Sequence, residues 1–280
     1  MKRDFKASRR KWASSRTPER IIAHYELERR LADRLRAASK DERPRIYGEV
    51  YSELFNALPD HPQNVSKELP AARAAKRLRL LRPLLSSDAT YLEIGCGCAA
   101  LPFALSGFAR EVVGLDVTDS LIDFAAAPAN FRFARTTGVE IPLADCSVDL
   151  AHSDQLMEHL HPDDAEPQLR EVYRVLKPGG LYLCATPHRV TGPHDISKYF
   201  DDRATGFHLR EYDYCSLRTL FRQVGFRRIR FLLVIAGVRV TTLPYAVVRA
   251  LEIALETVPA RFRKARLAIL VMGITALAVK

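Results

Sequence analysis

From residue 89 to residue 235, short apolar runs alternate with segments of helical period, and this alternation limits the chain to one broad architecture. Residues 90–94, 112–115, 131–134, 148–152 and 181–185 read as strands, with 101–108, 120–127 and 165–176 as helices between them. A strand followed by a helix returns the chain to the same end of the sheet, so successive strands run parallel and helices cover both faces. The expectation is an α/β fold. Lys177-Pro178-Gly179-Gly180 is expected to end a helix and turn the chain into the next strand. Residues 214–224, closed by Gly225, predict a further helix, and residues 226–235 a further strand.

Both flanks are helical and basic. Residues 17–38 predict a helix with Thr17 as N-cap and Pro18 at its first position. Its apolar residues, Ile21, Ile22, Tyr25, Leu31 and Leu35, are sparse, which places it on the surface of the body. Residues 46–58 form a better amphipathic helix ended by Pro59, and 71–81 a basic one. Toward the other end, 244–258 predicts a helix with Pro244 first and Arg249, Glu252 and Glu256 on a polar face. Residues 271–279 read as a last strand returning to the sheet edge, with an interfacial anchor as the alternative.

Charge follows the same division. The net +10 splits into +8 over residues 1–45, −8 over 46–217 and +10 over 218–280. Basic arms of this kind attract phosphate on nucleic acid, anionic lipid or a nucleotide-linked substrate, and they equally suit plain solvated helix faces. No run reaches the roughly 20 apolar residues a membrane span needs. The opening MKRDFKASRRKW lacks the apolar core of a secretory signal. Five cysteines without a CxxC pair argue against a disulfide framework or a structural zinc site. A reducing, cytoplasmic setting is the expectation.

The strongest chemical signal is TYLEIGCGCAALPFAL at residues 90–105, where a strand meets Glu93-Ile94-Gly95-Cys96-Gly97-Cys98-Ala99 and then opens a helix. Glycines there allow a tight turn and bring backbone N–H groups close to a ligand. At the end of the next strand stands Asp116, where a carboxylate can accept hydrogen bonds from both hydroxyls of a ribose. Strand, glycine turn, helix, strand and acid together make a nucleoside-binding unit. Glu93 narrows the choice: a carboxylate before the glycines would repel a pyrophosphate and suits a cationic ligand.

This E-x-G-x-G with a later acid resembles the class I S-adenosylmethionine-dependent methyltransferases. The resemblance extends through PLADCSVDLAHSDQLMEHL (142–160) and REVYRVLKPGG (170–180), covering about residues 88–230. It implies a Rossmann-like, mostly parallel sheet of seven strands with an antiparallel edge pair and helices on both faces. The domains would then be a basic helical extension (1–85), the methyltransferase core (86–235) and a basic amphipathic helix with a last strand (236–280). Carried over by position, Glu93, Gly95, Cys96 and Gly97 would cradle the amino-acid part of S-adenosyl-L-methionine. Asp116 would hold the ribose and Val117 the adenine. Thr137 and Gly138 stand where an acid to the adenine amine is common. Ser153 and Gln155 follow the fourth strand at the ligand-binding edge. Ala99 replaces the family's third glycine. TPHRVTGPHDISKYF (186–200) and GFHLREY (206–212) resemble a bacterial subgroup associated with glycan or lipid modification.

Methyl transfer from a sulfonium is an in-line displacement that alignment alone can drive far. An oxygen acceptor also needs a proton acceptor, and His159, His188 and His194 are the candidate catalytic residues. The loop of over twenty residues after the fifth strand, which carries His194, Asp195 and His208, predicts a substrate lid. His188, His194, Asp195 and His208 match no metal spacing, so they are expected to anchor that lid, and no metal is expected. The expected acceptor is a small molecule, glycan or lipid-linked substrate, methylated at oxygen, with the C-terminal basic helix resting on the inner face of an anionic membrane. A nucleic-acid methyltransferase lacks support here because the Asn/Asp-Pro-Pro-aromatic motif is missing. A non-catalytic cofactor-binding protein is the remaining alternative.

Overall fold

The computed structural model describes residues 16–61, 68–258 and 273–280. Its centre is one sheet of eight strands: β1 (Thr90–Ile94), β2 (Glu111–Asp116), β3 (Phe131–Arg135), β4 (Val148–Asp154), β5 (Leu176–Pro187), β6 (Arg228–Ile235), β7 (Val238–Leu243) and β8 (Gly273–Val279). The spatial order is β3-β2-β1-β4-β5-β8-β6-β7. The first five strands pair in parallel, and β8 runs antiparallel to both β5 and β6.

Seven helices occur among the described residues: α1 (Pro18–Ala37), α2 (Arg43–Ala57), α3 (Glu68–Leu81), α4 (Ala100–Leu105), α5 (Ala165–Val175), α6 (Tyr214–Val224) and α7 (Tyr245–Thr257). Side chains alternate across the central strands, so each face finds its own apolar layer. Tyr91, Val112, Leu150 and Leu183 pack with Leu81, Leu101 and Leu105 of α3 and α4. Leu92, Val113 and Tyr182 pack with Leu169 and Val172 of α5, Leu217 and Phe221 of α6 and Val248 of α7. A third cluster joins α1 and α2 through Leu31, Leu35, Ile46, Val50 and Leu54, and takes in Phe207 from the loop after β5.

The doubly covered α/β sheet agrees with the sequence reading, while several particulars differ. There are eight strands, because residues 235–238 form a hairpin turn that adds β7 at the edge. Ala236 (φ 51°) and Gly237 (φ 82°) both take the left-handed conformation that a two-residue hairpin turn demands. The last strand inserts between β5 and β6, away from the edge. Residues 120–127 form only a single turn at Phe124–Ala126. The side chains of Thr118 and Asp123 bond the backbone N–H groups of Ser120 and Ala125 there, offering that backbone an alternative to a helix. The Lys177–Gly180 stretch lies inside β5, with the register slipping between Val148 and Leu150. Pro244 caps α7 from outside. Helix α1 covers the body with a buried stripe of Ile21, His24, Glu28, Leu31 and Leu35. The basic cluster Arg261, Arg263, Lys264 and Arg266 lies outside the described residues.

Candidate functional site

A cavity of about 510 Å³ opens at the carboxyl edge of β1, β2 and β4. Parallel sheets bind ligands at this edge because the strands end there and helices begin. At its inner wall the chain leaves β1 through Gly95 (φ 75°) and Gly97 (φ 53°), conformations that favour glycine, and Ala99 (φ 57°) precedes α4. The Gly95 and Cys96 N–H groups both donate to the Leu115 carbonyl, at 2.7 and 3.1 Å, which ties the turn to β2.

Two carboxylates border this turn. Asp116 Oδ2 accepts from the Gly97 N–H at 2.8 Å, and Oδ1 accepts from the N–H groups of Val117 (2.7 Å) and Thr118 (3.3 Å). Burial pushes its pKa up while these hydrogen bonds oppose the rise. Glu93 is 6% exposed. Its Oε1 lies 3.5 Å from His152 Nδ1, and its Oε2 has no hydrogen-bond partner. Burial raises the Glu93 pKa, with His152 opposing. A buried carboxylate oxygen left without a donor is costly, so a cation arriving here would be held strongly.

Most of the expected cofactor residues converge. Glu93, Gly95, Cys96, Gly97, Asp116, Val117, Gly138 and Gln155 all line the cavity. Burial raises the Cys96 thiol far above its ordinary value, which leaves it an inert packing group. Two expected residues lie elsewhere. Thr137 is exposed, and its neighbour Thr136 lines the wall in its place. Ser153 is fully buried off the cavity, its hydroxyl 2.7 Å from the Tyr182 hydroxyl.

The three candidate catalytic histidines separate. His188 is a structural group away from the cavity: Nε2 lies 2.9 Å from buried Glu252 of α7, and Nδ1 accepts from the Val190 N–H. His194 lines the cavity, with Nε2 3.1 Å from both Thr191 Oγ1 and the His188 carbonyl. His159 lines it too, and its Nδ1 has no partner. Burial, and then the His208 charge, push the His159 pKa down to about 3, so the ring stays neutral and offers a lone pair.

The lid, residues 188–213, closes over this end and is tied to α1. Glu28 Oε1 accepts from the Phe207 N–H at 2.9 Å, while Arg36 donates to the carbonyls of Thr205 and Gly206. Tyr25 stacks on Phe200 at 4.1 Å, and Tyr51 on Phe207 at 4.9 Å. Within the lid, Asp195 Oδ2 accepts from the N–H groups of Gly206 and His208. His208 Nδ1 lies 2.8 Å from Glu211 Oε1, which also accepts from the His194 N–H. On the cavity wall Arg77 of α3 makes two hydrogen bonds to Asp154.

Helices α1 and α2 therefore supply a wall of the cavity, although the sequence reading assigned α1 to the surface: His24, Glu28, Tyr47, Tyr51 and Phe55 all line it. One signal for it was present. His24 and Glu28 sit at helical spacing on the apolar stripe of α1, where polar side chains need a reason to be buried.

Comparison with known proteins agrees with this geometry. Residues 92–184 match the profile of a family described as a methyltransferase domain. A probable S-adenosylmethionine-dependent methyltransferase of Mycolicibacterium smegmatis is 34% identical over 140 residues, covering 48% of this chain and 51% of the relative. A probable methyltransferase of the same kind from Mycobacterium tuberculosis H37Rv is 33% identical over 140 residues, covering 48% and 47%. The chain thus spans about half the length of these curated relatives. Among solved structures, a SAM-dependent methyltransferase from Archaeoglobus fulgidus shares the fold, with a TM-score of 0.53 and 20% identity over 81% of this chain and 99% of that one. The glycine turn between two carboxylates and the profile match at 92–184 lead to one conclusion: residues 92–184 match a methyltransferase domain, and the chain is similar to S-adenosylmethionine-dependent methyltransferases over about half its length.

Proposed function

We propose that this chain transfers the methyl group of S-adenosyl-L-methionine to an oxygen of a small-molecule, glycan or lipid-linked acceptor. The observation that carries the cofactor is the partnerless carboxylate oxygen of Glu93 beside the glycine turn. The residues fit the group: Glu93 would answer its ammonium and sulfonium charges, and Asp116 Oδ2, which accepts only the Gly97 N–H, keeps a lone pair for a ribose hydroxyl. Val117, Thr136 and Gly138 border the space left for an adenine. When bound, the cofactor supplies an electrophilic methyl on a sulfonium, and a neutral thioether leaves.

The chain's own part is alignment and enclosure. Tyr51 and Phe207 stack over the acceptor end and keep water from it, holding two reactants in line. Oxygen as the accepting atom is supported by the imidazoles His194 and His208 and the carboxylates Glu28 and Asp195 on that wall, which can take up a hydroxyl proton. It is supported also by the stretch after β4, Gln155-Leu156-Met157-Glu158, which carries no motif for a planar nitrogen. Calorimetric titration with S-adenosylmethionine and S-adenosylhomocysteine tests the reading. Micromolar binding that collapses in Asp116→Ala supports it. Absence of binding to both overturns the methyltransferase reading and leaves a scaffold whose site has lost its ligand.

The same reading includes peripheral contact with anionic lipid. No helix among the described residues is long and apolar enough to cross a membrane. On α7, however, Val247 and Leu251 stand one turn apart and are 45% and 43% exposed. The basic sequence at 261–266 follows. Co-sedimentation with phosphatidylserine vesicles should exceed that with phosphatidylcholine vesicles and fall with salt; equal pelleting with both removes the membrane from the proposal.

A further inference from the structure

Three side chains at the acceptor end have a use that alignment does not require. Glu158 and His159 close the short helical turn Met157–His159 after β4, and His208 descends from the lid. One ligand-capable atom from each lies within 4.8 Å of the other two. The two imidazoles meet edge to face, with centroids 5.0 Å apart and planes at 89°. No hydrogen bond joins the three groups to one another to account for their gathering. Glu158 is fully buried, yet its Oε1 has no partner, and neither has His159 Nδ1.

Each group is held from behind. Thr186 Oγ1 donates to Glu158 Oε2 at 2.9 Å. Glu211 takes His208 Nδ1 at 2.8 Å and so leaves Nε2 for the cluster. A backbone hydrogen bond to Phe207 engages the His159 ring, which leaves Nδ1 as the lone-pair nitrogen. Carboxylates and carbonyls behind imidazoles are what orients metal-binding histidines and fixes their tautomers. The surroundings are anionic as well: Glu28, Glu158, Asp195 and Glu211 face the two rings, with the Lys198 ammonium beside Asp195 and Glu28.

We propose that Glu158, His159 and His208 bind one divalent transition-metal ion at the acceptor end of the cavity. Two imidazole nitrogens and one carboxylate oxygen suit zinc, cobalt, manganese or iron(II) better than magnesium or calcium, which prefer an all-oxygen shell. His159 and His208 line the cavity, so the remaining coordination positions face the acceptor. An ion there would bind and polarise an acceptor oxygen. In that role the inference deepens the methyltransferase reading and rests on it, whereas the binding of the ion stands alone. The expectation of no metal rested on the cysteines and on the sequence spacing of lid residues, and did not weigh the turn after β4, which meets the lid in space.

The test uses the full chain stripped with a chelator and dialysed against zinc or cobalt, with bound metal measured by elemental analysis and cobalt also by its visible absorption. One equivalent is expected, with absorption bands that report nitrogen and oxygen ligation. Glu158→Gln and His208→Ala should each abolish that equivalent. Glu211→Gln, which removes only the support behind His208, should weaken it roughly 10- to 100-fold. No stoichiometric uptake by the native chain, or uptake that survives in both ligand variants, overturns the proposal. Binding of S-adenosylhomocysteine measured on the same samples separates the two readings. Cofactor binding without metal uptake removes the metal centre alone, and metal uptake without cofactor binding removes the methyltransferase reading alone.

Discussion

Arg43 grips Asp164 with two parallel hydrogen bonds, Nε to Oδ2 at 2.7 Å and Nη2 to Oδ1 at 2.8 Å, and each residue is only 4% exposed. Arg43 opens α2, and Asp164 stands at the N-terminus of α5. Tyr47 joins them, donating to Asp164 Oδ2 at 3.0 Å and accepting from the His161 N–H at 2.7 Å. Through this knot the helical cap is fastened to the sheet body beside the cavity. Arg43→Ala leaves the Asp164 carboxylate buried without its guanidinium, a change that costs about 3–5 kcal/mol in comparable buried pairs. Urea unfolding should show a loss of that size, accompanied by weaker binding of S-adenosylhomocysteine as the cap loosens.

Glu93 should show opposite effects on stability and on binding. Its buried, partnerless oxygen penalises the unliganded chain, so Glu93→Gln is expected to raise the unfolding midpoint without ligand. The same change removes the charge that answers a cationic ligand. A hydrogen bond to a charged group is worth about 1.5–3 kcal/mol, so S-adenosylmethionine should bind roughly 10- to 150-fold more weakly. Thermal unfolding and calorimetry of one preparation check both signs.

His188 should prove structural. His188→Ala leaves Glu252 without one of its donors and should destabilise the fold, while the dissociation constant for S-adenosylhomocysteine stays within about twofold, since additivity holds for distant sites. A drop in cofactor affinity matching a cavity variant such as Asp116→Ala would return His188 to the site.

Glu252 predicts a pH dependence. Burial pushes its pKa up, but hydrogen bonds from His188, the Tyr214 N–H and Arg249 outweigh it, and the net shift is downward from 4.5. A carboxylate with a depressed folded pKa contributes stability that is complete above its unfolded value and lost as pH falls through the folded one. The native chain should therefore lose stability as pH falls below 4.5, and Glu252→Gln, less stable at neutral pH, should lose less over that range. Denaturant midpoints across pH 3–7 measure the difference.

Gly206 should tolerate no side chain. A Cβ there would run into Glu28 Oε1 and come within 2.8 Å of Asp195 Oδ2, the two carboxylates that bind the lid to α1 and to itself. Gly206→Ala should cost about 1–3 kcal/mol, as overpacking does. Limited proteolysis of residues 188–213 should speed up with it.

The sheet and the cofactor end were readable because local pattern encodes them. Strand β1 must be apolar to sit between two helical layers, and Gly95 and Gly97 must be glycine to turn left-handed before α4. Asp116 follows from its place at the end of β2. The acceptor end was legible only in pieces. His159 and His208 lie 49 positions apart, and nothing in either local sequence says that the lid folds back onto the turn after β4. His188 looked catalytic because it follows a strand at the right edge, yet its side chain turns to α7, a partner 64 positions away. Tertiary pairing decided both, and spacing along the chain does not carry it. The β7 hairpin escaped for a local reason: Ala236-Gly237 is a weaker turn signal than Asn-Gly.

The placement of β8 has a consequence for how the molecule is made. Seven of its residues pair with β5 on one side, and four of them with β6 on the other, so this late segment is the keystone joining the two parts of the sheet. Synthesis proceeds from the N-terminus, and β1–β5 emerge with the edge of β5 still open for as long as the ribosome takes to reach residue 273. During that interval Leu181–Pro187 presents unpaired backbone that another nascent chain could use as a template. A premature stop between residue 208 and Gly273 would make that exposure permanent, which makes late truncation a route to aggregation and clearance even though every cavity-lining residue has already been translated.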